Sequence, residues 1–487
     1  MAQQAGQQSV EATRVCESDQ CAIVLVCGFL SPGNAWWIQK YWGKALELGQ
    51  EGSPVLTAPV SSVASVHDRA CELFAVLKGQ RVDYGKEHAE KHGHQRFGID
   101  YTGRGLWPSW GADRPVHLVG HSFGGNTVRA LRFMLATDAF NVGSNSLWVR
   151  STSTISSPLN GSLITYKLGA NEDHKHDQPV RRFTPGYNIG IGVHFYELFA
   201  RKLGLDRLAD FGMRHWELEE GGFKLFFESL LGGENGGGTP SVCSRDNAAH
   251  DMTVVAALEW AEKVRTVMEA DPDSFEFNFV ASKKAALDTS LRDIYHNVKG
   301  VDGPFWYKGL LAAKELAVSI GARLVNTPDS YDIKHNDERY DVSHLLQGEF
   351  DGLCSKSAQY DSIKSISVAD LERVSLAPGQ YTVFLEEKHD HFSIVPWPEC
   401  QTEQHDFFKS MFQMLRSLPC PTGPLQRVPL ASSLNSPEIM PKQGDASPIA
   451  MDEDSLPFVV KGMIIPESPE RLYIAEQLPT ESKMACT

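Results

Sequence analysis

Residues 116–135, VHLVGHSFGGNTVRALRFML, constrain the fold of this chain more than any other stretch. The apolar run at 117–119 is typical of a buried strand, and apolar residues recur at helical spacing directly behind the GHSFG motif. The order strand, tight turn, helix is that of a nucleophile elbow, in which a G-x-S-x-G pattern lifts a serine hydroxyl out of a sheet. We therefore interpret Ser122 as a nucleophile, although the same short pattern also arises by chance in a chain with 41 glycines.

The composition favours an enzyme or binding protein that acts on neutral molecules. With 487 residues, 42% of them hydrophobic, the chain can bury a large core. Its formal net charge of -15 argues against nucleic acid as a partner and against electrostatic docking on anionic lipid. Nine cysteines without C-x-x-C spacing predict neither a zinc–thiolate site nor a disulfide framework.

The start of the chain is polar and lacks the basic and apolar regions of a signal peptide. No later run approaches the length of apolar sequence that crosses a bilayer. We therefore expect a cytoplasmic protein without a transmembrane segment, and no obligate protein partner is evident.

Strands and helices are predicted to alternate along most of the chain. An apolar strand at 22–27 and a second strand at 54–60 precede an amphipathic helix at 64–78. Further strands are expected near 148–155, at 275–280 and at 381–385, and a helix at 401–418 closes the pattern. This alternation predicts the α/β class, with a mainly parallel central sheet covered by helices on both faces.

Shifts in composition divide the chain into three parts. Residues 1–20 form a polar tail, 21–418 form the folded domain, and the Pro- and Ser-rich residues 419–487 form an extension that we expect to be mostly disordered. An insertion at about 162–250 interrupts the domain and contains an apolar stretch at 187–205. That stretch predicts either a helix packed on the core or a mobile lid over an apolar pocket.

A serine nucleophile needs a histidine base and an acid, in the order serine, acid, histidine. His389 and His391 both qualify as the base, because they directly follow the late strand at 381–385. Asp351 is the best placed acid, with Asp361 and Asp370 as rivals. The developing oxyanion would need two backbone N–H donors, one after the serine and one after an early strand. Phe123 and Phe29 occupy those positions.

A second cluster combines Asp68 with the histidine-rich segment EHAEKHGH at 87–94. Imidazole and carboxylate ligands suit zinc, and four protein ligands would make the site structural. By helical spacing alone, His88 and His92 form the natural pair of ligands, and a solvated loop is the alternative.

Several longer motifs resemble one known family, the zinc-binding thermoalkalophilic and staphylococcal lipases of the α/β-hydrolase superfamily. These motifs are KYWG at 40–43, HDRACE at 67–72, VDYG at 82–85, KHGHQRFG at 91–98, the elbow itself, SPLNGS at 157–162 and DNAAHDMT at 246–253. The resemblance covers most of residues 22–418.

The resemblance implies a role for particular residues. The nucleophile falls on Ser122, the acid on Asp351 and the base on His391, with Phe29 and Phe123 as the oxyanion donors. The implied zinc ligands are Asp68, His88, His94 and Asp251.

Two departures from the family pattern bear on these roles. Cys27-Gly28 replaces the His-Gly that the family has before its oxyanion phenylalanine, and a backbone donor survives that change. Ser393 and the run PWPE at 396–399 replace the family's calcium ligands, so zinc is the only metal that we predict and calcium is not predicted.

Together these features predict a serine lipase or carboxylesterase that cleaves acylglycerol-type esters through an acyl-enzyme. Its partners would be a neutral ester or lipid substrate and, transiently, a lipid interface. Two alternatives remain open. One is an acyltransferase or thioesterase with the same triad, and the other is a catalytically silent protein that binds lipid or a partner and in which the acidic tail matters more than the site.

Overall fold

The structure is a computed structural model. It describes residues 21–51, 53–171, 179–216, 244–271, 273–281, 291–299, 365–367, 376–386, 388–395 and 402–418, together with a few single residues between 305 and 320. The two predicted tails, 1–20 and 419–487, lie outside the described residues, as does part of the predicted insertion. The predicted division into three parts therefore stays a prediction.

Regular elements alternate along the described chain. The strands are β1 Ala22–Val26, β2 Val55–Thr57, β3 Arg81–Asp83, β4 Phe97–Asp100, β5 Val116–His121, β6 Val149–Ile155, β7 Phe275–Ala281, β8 Ser365–Ser367 and β9 Tyr381–Glu386. The α-helices are α1 Ala35–Trp42, α2 Val66–Lys78, α3 Lys86–His92, α4 Phe123–Ala136, α5 Ile164–Lys167, α6 Pro185–Leu203, α7 Ala248–Asp251, α8 Val254–Ala270, α9 Leu291–Lys299 and α10 Thr402–Ser417. Short 3₁₀ helices include Gly43–Glu51 and Arg214–Trp216.

A seven-stranded sheet, in the order β2-β1-β5-β6-β7-β9-β8, forms the centre of the molecule. Every ladder in it is parallel, because each connection crosses over through helices or loops before the next strand begins. A separate antiparallel pair, β3 and β4, was not predicted from the sequence.

Both faces of this sheet are covered by helices. Along β1, Val24 and Val26 belong to a buried cluster that includes residues of α2 and α4, whereas Ile23 and Leu25 belong to a second cluster. That second cluster contains residues of α1 and α10, on the opposite face. Successive strand residues point to opposite faces, so a strand buried on both sides is apolar throughout. The predicted α/β class and the two-sided helical cover are confirmed.

The insertion contributes the long helix α6. Leu198 packs with Met213 and Trp216 in a small buried cluster, whereas Leu203 and Phe183 are exposed. The helix thus packs on the domain with one face and leaves apolar side chains on its surface. Within the described ranges, none of the helices is both long and apolar enough to cross a lipid bilayer.

The turn between β5 and α4 places the backbone of the first turn of α4 against the backbone at the end of β1. A Cβ atom on Gly124 would lie 2.8 Å from the carbonyl oxygen of Cys27 and would overlap the carbonyl of Val26. One on Gly120 would overlap the backbone of Gly124. Only glycine permits this approach, so α4 can start directly over the end of β1.

We expect Gly124→Ala to destabilise the domain by roughly 1–3 kcal/mol, because the added methyl group must push β1 and α4 apart. Thermal unfolding of the purified variant measures this effect. Gly111→Ala is the matched control, since a Cβ there meets nothing within 4 Å. Equal unfolding midpoints for the two variants would contradict the close approach.

Candidate active site and metal centre

Ser122 sits in the tight turn between β5 and α4. Its φ of 55° lies in the left-handed region, which is rare for a residue with a side chain. The turn is held from both sides: the Ser122 N–H donates to the carbonyl of Ile155 at 2.8 Å, and Gly125 N–H donates to the carbonyl of Ser122 at 2.9 Å. A strained backbone that neighbouring elements hold in this way is typical of a functional serine.

His391 approaches Ser122 from the turn that follows β9. Its Nε2 lies 3.0 Å from Ser122 Oγ, and the imidazole is buried. Asp390 shapes this turn, because its Oδ1 accepts the N–H groups of Phe392 and Ser393 at 3.1 and 2.8 Å. At this distance the imidazole can accept the hydroxyl proton of Ser122.

The other candidate base, His389, lies elsewhere in the same turn. Its Nδ1 is 3.3 Å from Glu386 Oε1, and both side chains are buried. Burial alone would raise the pKa of Glu386, but hydrogen bonds from His389 and from the Lys388 amide leave that pKa below its ordinary value. The structure therefore pairs His389 with a carboxylate and His391 with Ser122.

The candidate acids Asp351, Asp361 and Asp370 lie outside the described residues. Asp351 as the acid therefore stays a prediction.

The backbone around the two predicted oxyanion donors lies close to Ser122. Phe123 is the first residue of α4, so its N–H has no acceptor within the helix. Phe29 follows Gly28, and a Cβ on Gly28 would lie 2.7 Å from Ser122 Cβ. The loop after β1 therefore passes directly against the serine, as a shared oxyanion hole requires.

Arg69, to which the sequence assigned no role, connects the loop after β1 with α4 and with the segment at Ser61. It is buried, with Nη2 donating to the Cys27 carbonyl at 2.6 Å and Nε donating to Thr127 Oγ1 at 2.8 Å. Nη1 donates to the carbonyl of Ser61, and the guanidinium lies 5.1 Å from the centre of the Phe123 ring. A buried, multiply bonded guanidinium of this kind holds its acceptors in place.

Four buried side chains form a group that could hold a metal ion: Asp68, His88, His94 and Asp246. Their ligand atoms all lie within 4.8 Å of one another. Asp246 approaches both imidazoles, with oxygen-to-Nε2 distances of 3.2 Å to His88 and 3.1 Å to His94. Asp68 Oδ1 is 3.1 Å from His88 Nε2.

The bonding within this group fits a metal ion. Both carboxylate oxygens of Asp68, Nε2 of His94 and Oδ2 of Asp246 are buried from solvent, and His94 Nε2 lies 3.1 Å from Asp246 Oδ2 and 3.9 Å from Asp68 Oδ2. Burial opposes a charge on His88, yet hydrogen bonds and charge from Asp246 and Asp68 raise the pKa of His88 to about 10. Two carboxylates would balance the charge of a divalent cation, and such an ion would displace protons from the imidazoles.

The predicted ligand Asp251 lies outside this group, and Asp246 occupies the fourth position. Asp251 Oδ2 instead accepts the N–H of Val66 at 2.6 Å, at the start of α2. Both aspartates belong to the motif DNAAHDMT, but the short helix α7 lies between them and directs them to different sites.

The histidine pairing from spacing alone also differs from the structure. Helix α3 ends at His92, and the next residue, Gly93, adopts the left-handed conformation. The chain reverses there and turns His94, rather than His92, towards the group.

A chain of buried polar residues extends from the metal group towards Ser61. His215 Nε2 lies 3.1 Å from Asp68 Oδ2, and His215 Nδ1 lies 3.3 Å from the Tyr84 hydroxyl. Tyr84 donates to Glu72 Oε1 at 2.9 Å, and the Ser61 N–H donates to Glu72 Oε2 at 2.6 Å. Burial raises the pKa of Glu72 to about 8. Glu72 and Tyr84 lie in the motifs HDRACE and VDYG, but nothing in those motifs indicates that the two side chains meet.

Comparison with known proteins places the chain among proteins of the same architecture. The Staphylococcus hyicus lipase structure aligns with a TM-score of 0.56 and 23% identity, covering 82% of this chain and 95% of that one. EstA from Clostridium botulinum aligns with a TM-score of 0.54 and 22% identity, covering 84% and 90%. The elbow, the parallel sheet and these alignments define an α/β-hydrolase fold.

Sequence comparison then identifies the family. The family model described as "Lipase-like, C-terminal domain" matches residues 19–289, which is more than half of the 487 residues, and the chain belongs to this family. Lipase 2 of Staphylococcus aureus is 32% identical over 291 residues, 54% of this chain. A lipase of Staphylococcus epidermidis is 29% identical over 258 residues, 48% of this chain. The predicted resemblance to staphylococcal-type lipases is confirmed.

The aligned parts are 38% of the Staphylococcus aureus protein and 34% of the Staphylococcus epidermidis protein. This chain thus spans less than half the length of the curated relatives that it matches.

The raised pKa of Glu72 predicts that the stability of the folded protein depends on pH. Its pKa is raised from 4.5 to about 8 in the folded protein, so the stability it contributes is fully present below its unfolded pKa and is lost as the pH rises through 8. A glutamine at this position would not titrate, so Glu72→Gln should gain stability relative to the wild type between about pH 5 and about pH 9. Urea unfolding at several pH values measures this difference.

Glu259→Gln is the control, because Glu259 is exposed on α8. A stability difference between the wild type and Glu72→Gln that stays constant with pH, as expected for the control, would refute the buried, protonated Glu72.

Proposed function

We propose that this protein is a serine lipase or carboxylesterase that hydrolyses neutral, acylglycerol-type esters through an acyl-enzyme. The observation that carries the proposal is the 3.0 Å contact between His391 Nε2 and Ser122 Oγ at a nucleophile elbow. Membership of the lipase-like family and the names of its relatives support it.

In the proposed reaction, His391 takes the hydroxyl proton while Ser122 Oγ attacks the ester carbonyl carbon. The backbone N–H groups of Phe29 and Phe123 stabilise the oxyanion of the tetrahedral intermediate. His391 then gives the proton to the leaving alkoxide, and the acyl group stays on Ser122. Water, activated by His391, releases the carboxylic acid, while Asp351 is the proposed acid that orients the imidazole.

Surface composition supports a neutral, apolar substrate. The chain carries a net charge of -15, which disfavours anionic substrates and surfaces. Around α6, apolar side chains are exposed, among them Phe183 at 74%, Leu203 at 67% and Leu208 at 67%. Exposed apolar side chains in one region are typical of contact with a lipid interface.

Ser122→Ala should lower ester hydrolysis by at least about a thousandfold, because no other group replaces the nucleophile. The measurement is hydrolysis of p-nitrophenyl acyl esters of graded chain length, together with labelling by a fluorophosphonate probe. Ser109→Ala, an exposed serine, is the control and should keep wild-type activity. Full activity in Ser122→Ala would reject the proposal. Labelling of the wild type with faster turnover of acyl-CoA or alcohol acceptors would favour the thioesterase or acyltransferase alternative.

We also propose zinc as the ion of the group Asp68, His88, His94 and Asp246. Four protein ligands leave no open position, so the ion would be structural. It would tie α2 and α3 to the segment before α7, and thus connect the insertion to the domain. The donor set of two imidazoles and two carboxylates suits zinc.

Asp246→Asn should reduce bound zinc from about one equivalent per chain to a small fraction and lower the unfolding temperature. Asp251→Asn is the matched control from the same motif and should keep the metal, since Asp251 bonds the Val66 amide. Metal analysis of both purified variants tests the assignment. Zinc lost from Asp251→Asn and retained by Asp246→Asn would overturn it.

The division into residues 1–20, 21–418 and 419–487 is proposed on composition alone. The cytoplasmic location stays a prediction, and cell fractionation would test it.

A further inference from the structure

Three hydrogen bonds connect the loop before Phe29, the elbow and the turn of His391. Gly28 N–H donates to the Tyr41 hydroxyl at 3.2 Å. The same hydroxyl contacts His121 Nδ1, and His121 Nε2 lies 2.9 Å from the carbonyl oxygen of His391. His121 directly precedes Ser122, so one buried imidazole touches both the nucleophile's strand and the base's backbone.

The direction of each hydrogen bond follows from the groups involved. The His391 carbonyl can only accept, so His121 Nε2 carries the proton. In a neutral imidazole Nδ1 is then an acceptor, and the Tyr41 hydroxyl must donate to it. The hydroxyl oxygen is left to accept the Gly28 N–H. Burial, together with the nearby His391, holds the pKa of His121 well below its ordinary value, which agrees with a neutral ring.

The surrounding packing holds both side chains in position. Tyr41 lies at the end of α1, and the neighbouring Trp42 is fully buried against Phe408 of α10, with ring centres 5.9 Å apart. The rings of Tyr41 and His121 are 5.6 Å apart, and those of His121 and His391 are 5.1 Å apart. Helix α1 is therefore anchored in the core and presents the hydroxyl from a rigid support.

We propose that Tyr41 and His121 are positioning residues that hold the Phe29 loop and the His391 turn in register with Ser122. This role rests on the proposed ester hydrolysis. Neither residue touches the reacting atoms in this arrangement: Tyr41 acts through the Gly28 amide, next to an oxyanion donor, and His121 acts through the His391 backbone. Polarised hydrogen bonds in series strengthen one another, so the three segments behave as one unit.

Loss of the Tyr41 hydroxyl would leave the Gly28 N–H and His121 Nδ1 without this partner. The two loops would then shift independently of Ser122, and misplacement by about 1 Å costs on the order of a hundredfold in rate. We expect Tyr41→Phe to lower kcat by about 10-fold to 100-fold while KM changes by less than about twofold, since the hydroxyl orients groups and binds no substrate.

Tyr166→Phe is the matched control. Tyr166 is buried, and its hydroxyl also accepts a backbone N–H, that of Val254 at 3.0 Å. Both variants lose one tyrosine hydroxyl that accepts a backbone N–H, so we expect similar decreases in thermal stability. Only Tyr41→Phe should lose kcat, and a purely structural effect would lower both variants alike.

Variants of His121 test its bond to the His391 carbonyl separately from its bond to the Tyr41 hydroxyl. His121→Gln keeps an amide N–H donor for the His391 carbonyl and should retain more kcat than His121→Leu, which keeps no donor. The double variant Tyr41→Phe with His121→Leu should lose less kcat than the two single losses combined predict, because both single variants already remove the bond between Tyr41 and His121. Additive losses, or equal activity of the Gln and Leu variants, would overturn the proposal.

The rate at which a fluorophosphonate labels Ser122 gives a second measurement that does not depend on the choice of ester. An unlabelled wild type would overturn the proposed hydrolase function and this role with it. A labelled wild type whose rate is matched by Tyr41→Phe would overturn the positioning role alone. A slower rate in Tyr41→Phe, with Tyr166→Phe at the wild-type rate, is the result that we expect.

Discussion

The close approach of the first turn of α4 to the end of β1 is the constraint on which the rest of the site depends. Gly124 leaves no space for a side chain between the two backbones, so Ser122 is held at a positive φ beside the Phe29 loop. In this arrangement Phe123 follows the serine at the start of α4, and Gly28, next to Phe29, packs directly against the serine. The buried Arg69 then secures the same region by bonding the Cys27 carbonyl.

Helix α2 connects this region to the metal group through two consecutive residues. Asp68 and Arg69 are both buried, and adjacent positions on a helix point in different directions. Asp68 faces His88 and Asp246, whereas Arg69 faces the loops around the elbow. Asp251 bonds the first amide of the same helix, so the segment that supplies Asp246 also caps α2. Helix α2 therefore supports both the metal group and the loops around Ser122.

Local signals in the sequence were sufficient for the elements with strong patterns. The GHSFG elbow and the apolar strands predicted the α/β class, because a strand buried on both faces must be apolar along its length. Position after β9 narrowed the base to His389 or His391 without choosing between them. The resemblance implied Asp251, whereas the structure places Asp246 in the group: two aspartates five positions apart carry the same chemistry, and only the short helix between them separates their directions.

The sequence by itself determined the chemistry that is available: a strained serine at an elbow, a histidine after a late strand, and carboxylates and imidazoles near α2 and α3. The tertiary structure decided which of these groups meet. Contacts such as Tyr41 with His121, His215 with Asp68, and His391 with Ser122 join residues 80, 147 and 269 positions apart in the chain. Their geometry depends on the packing of whole helices and strands, and no local pattern of residues encodes it.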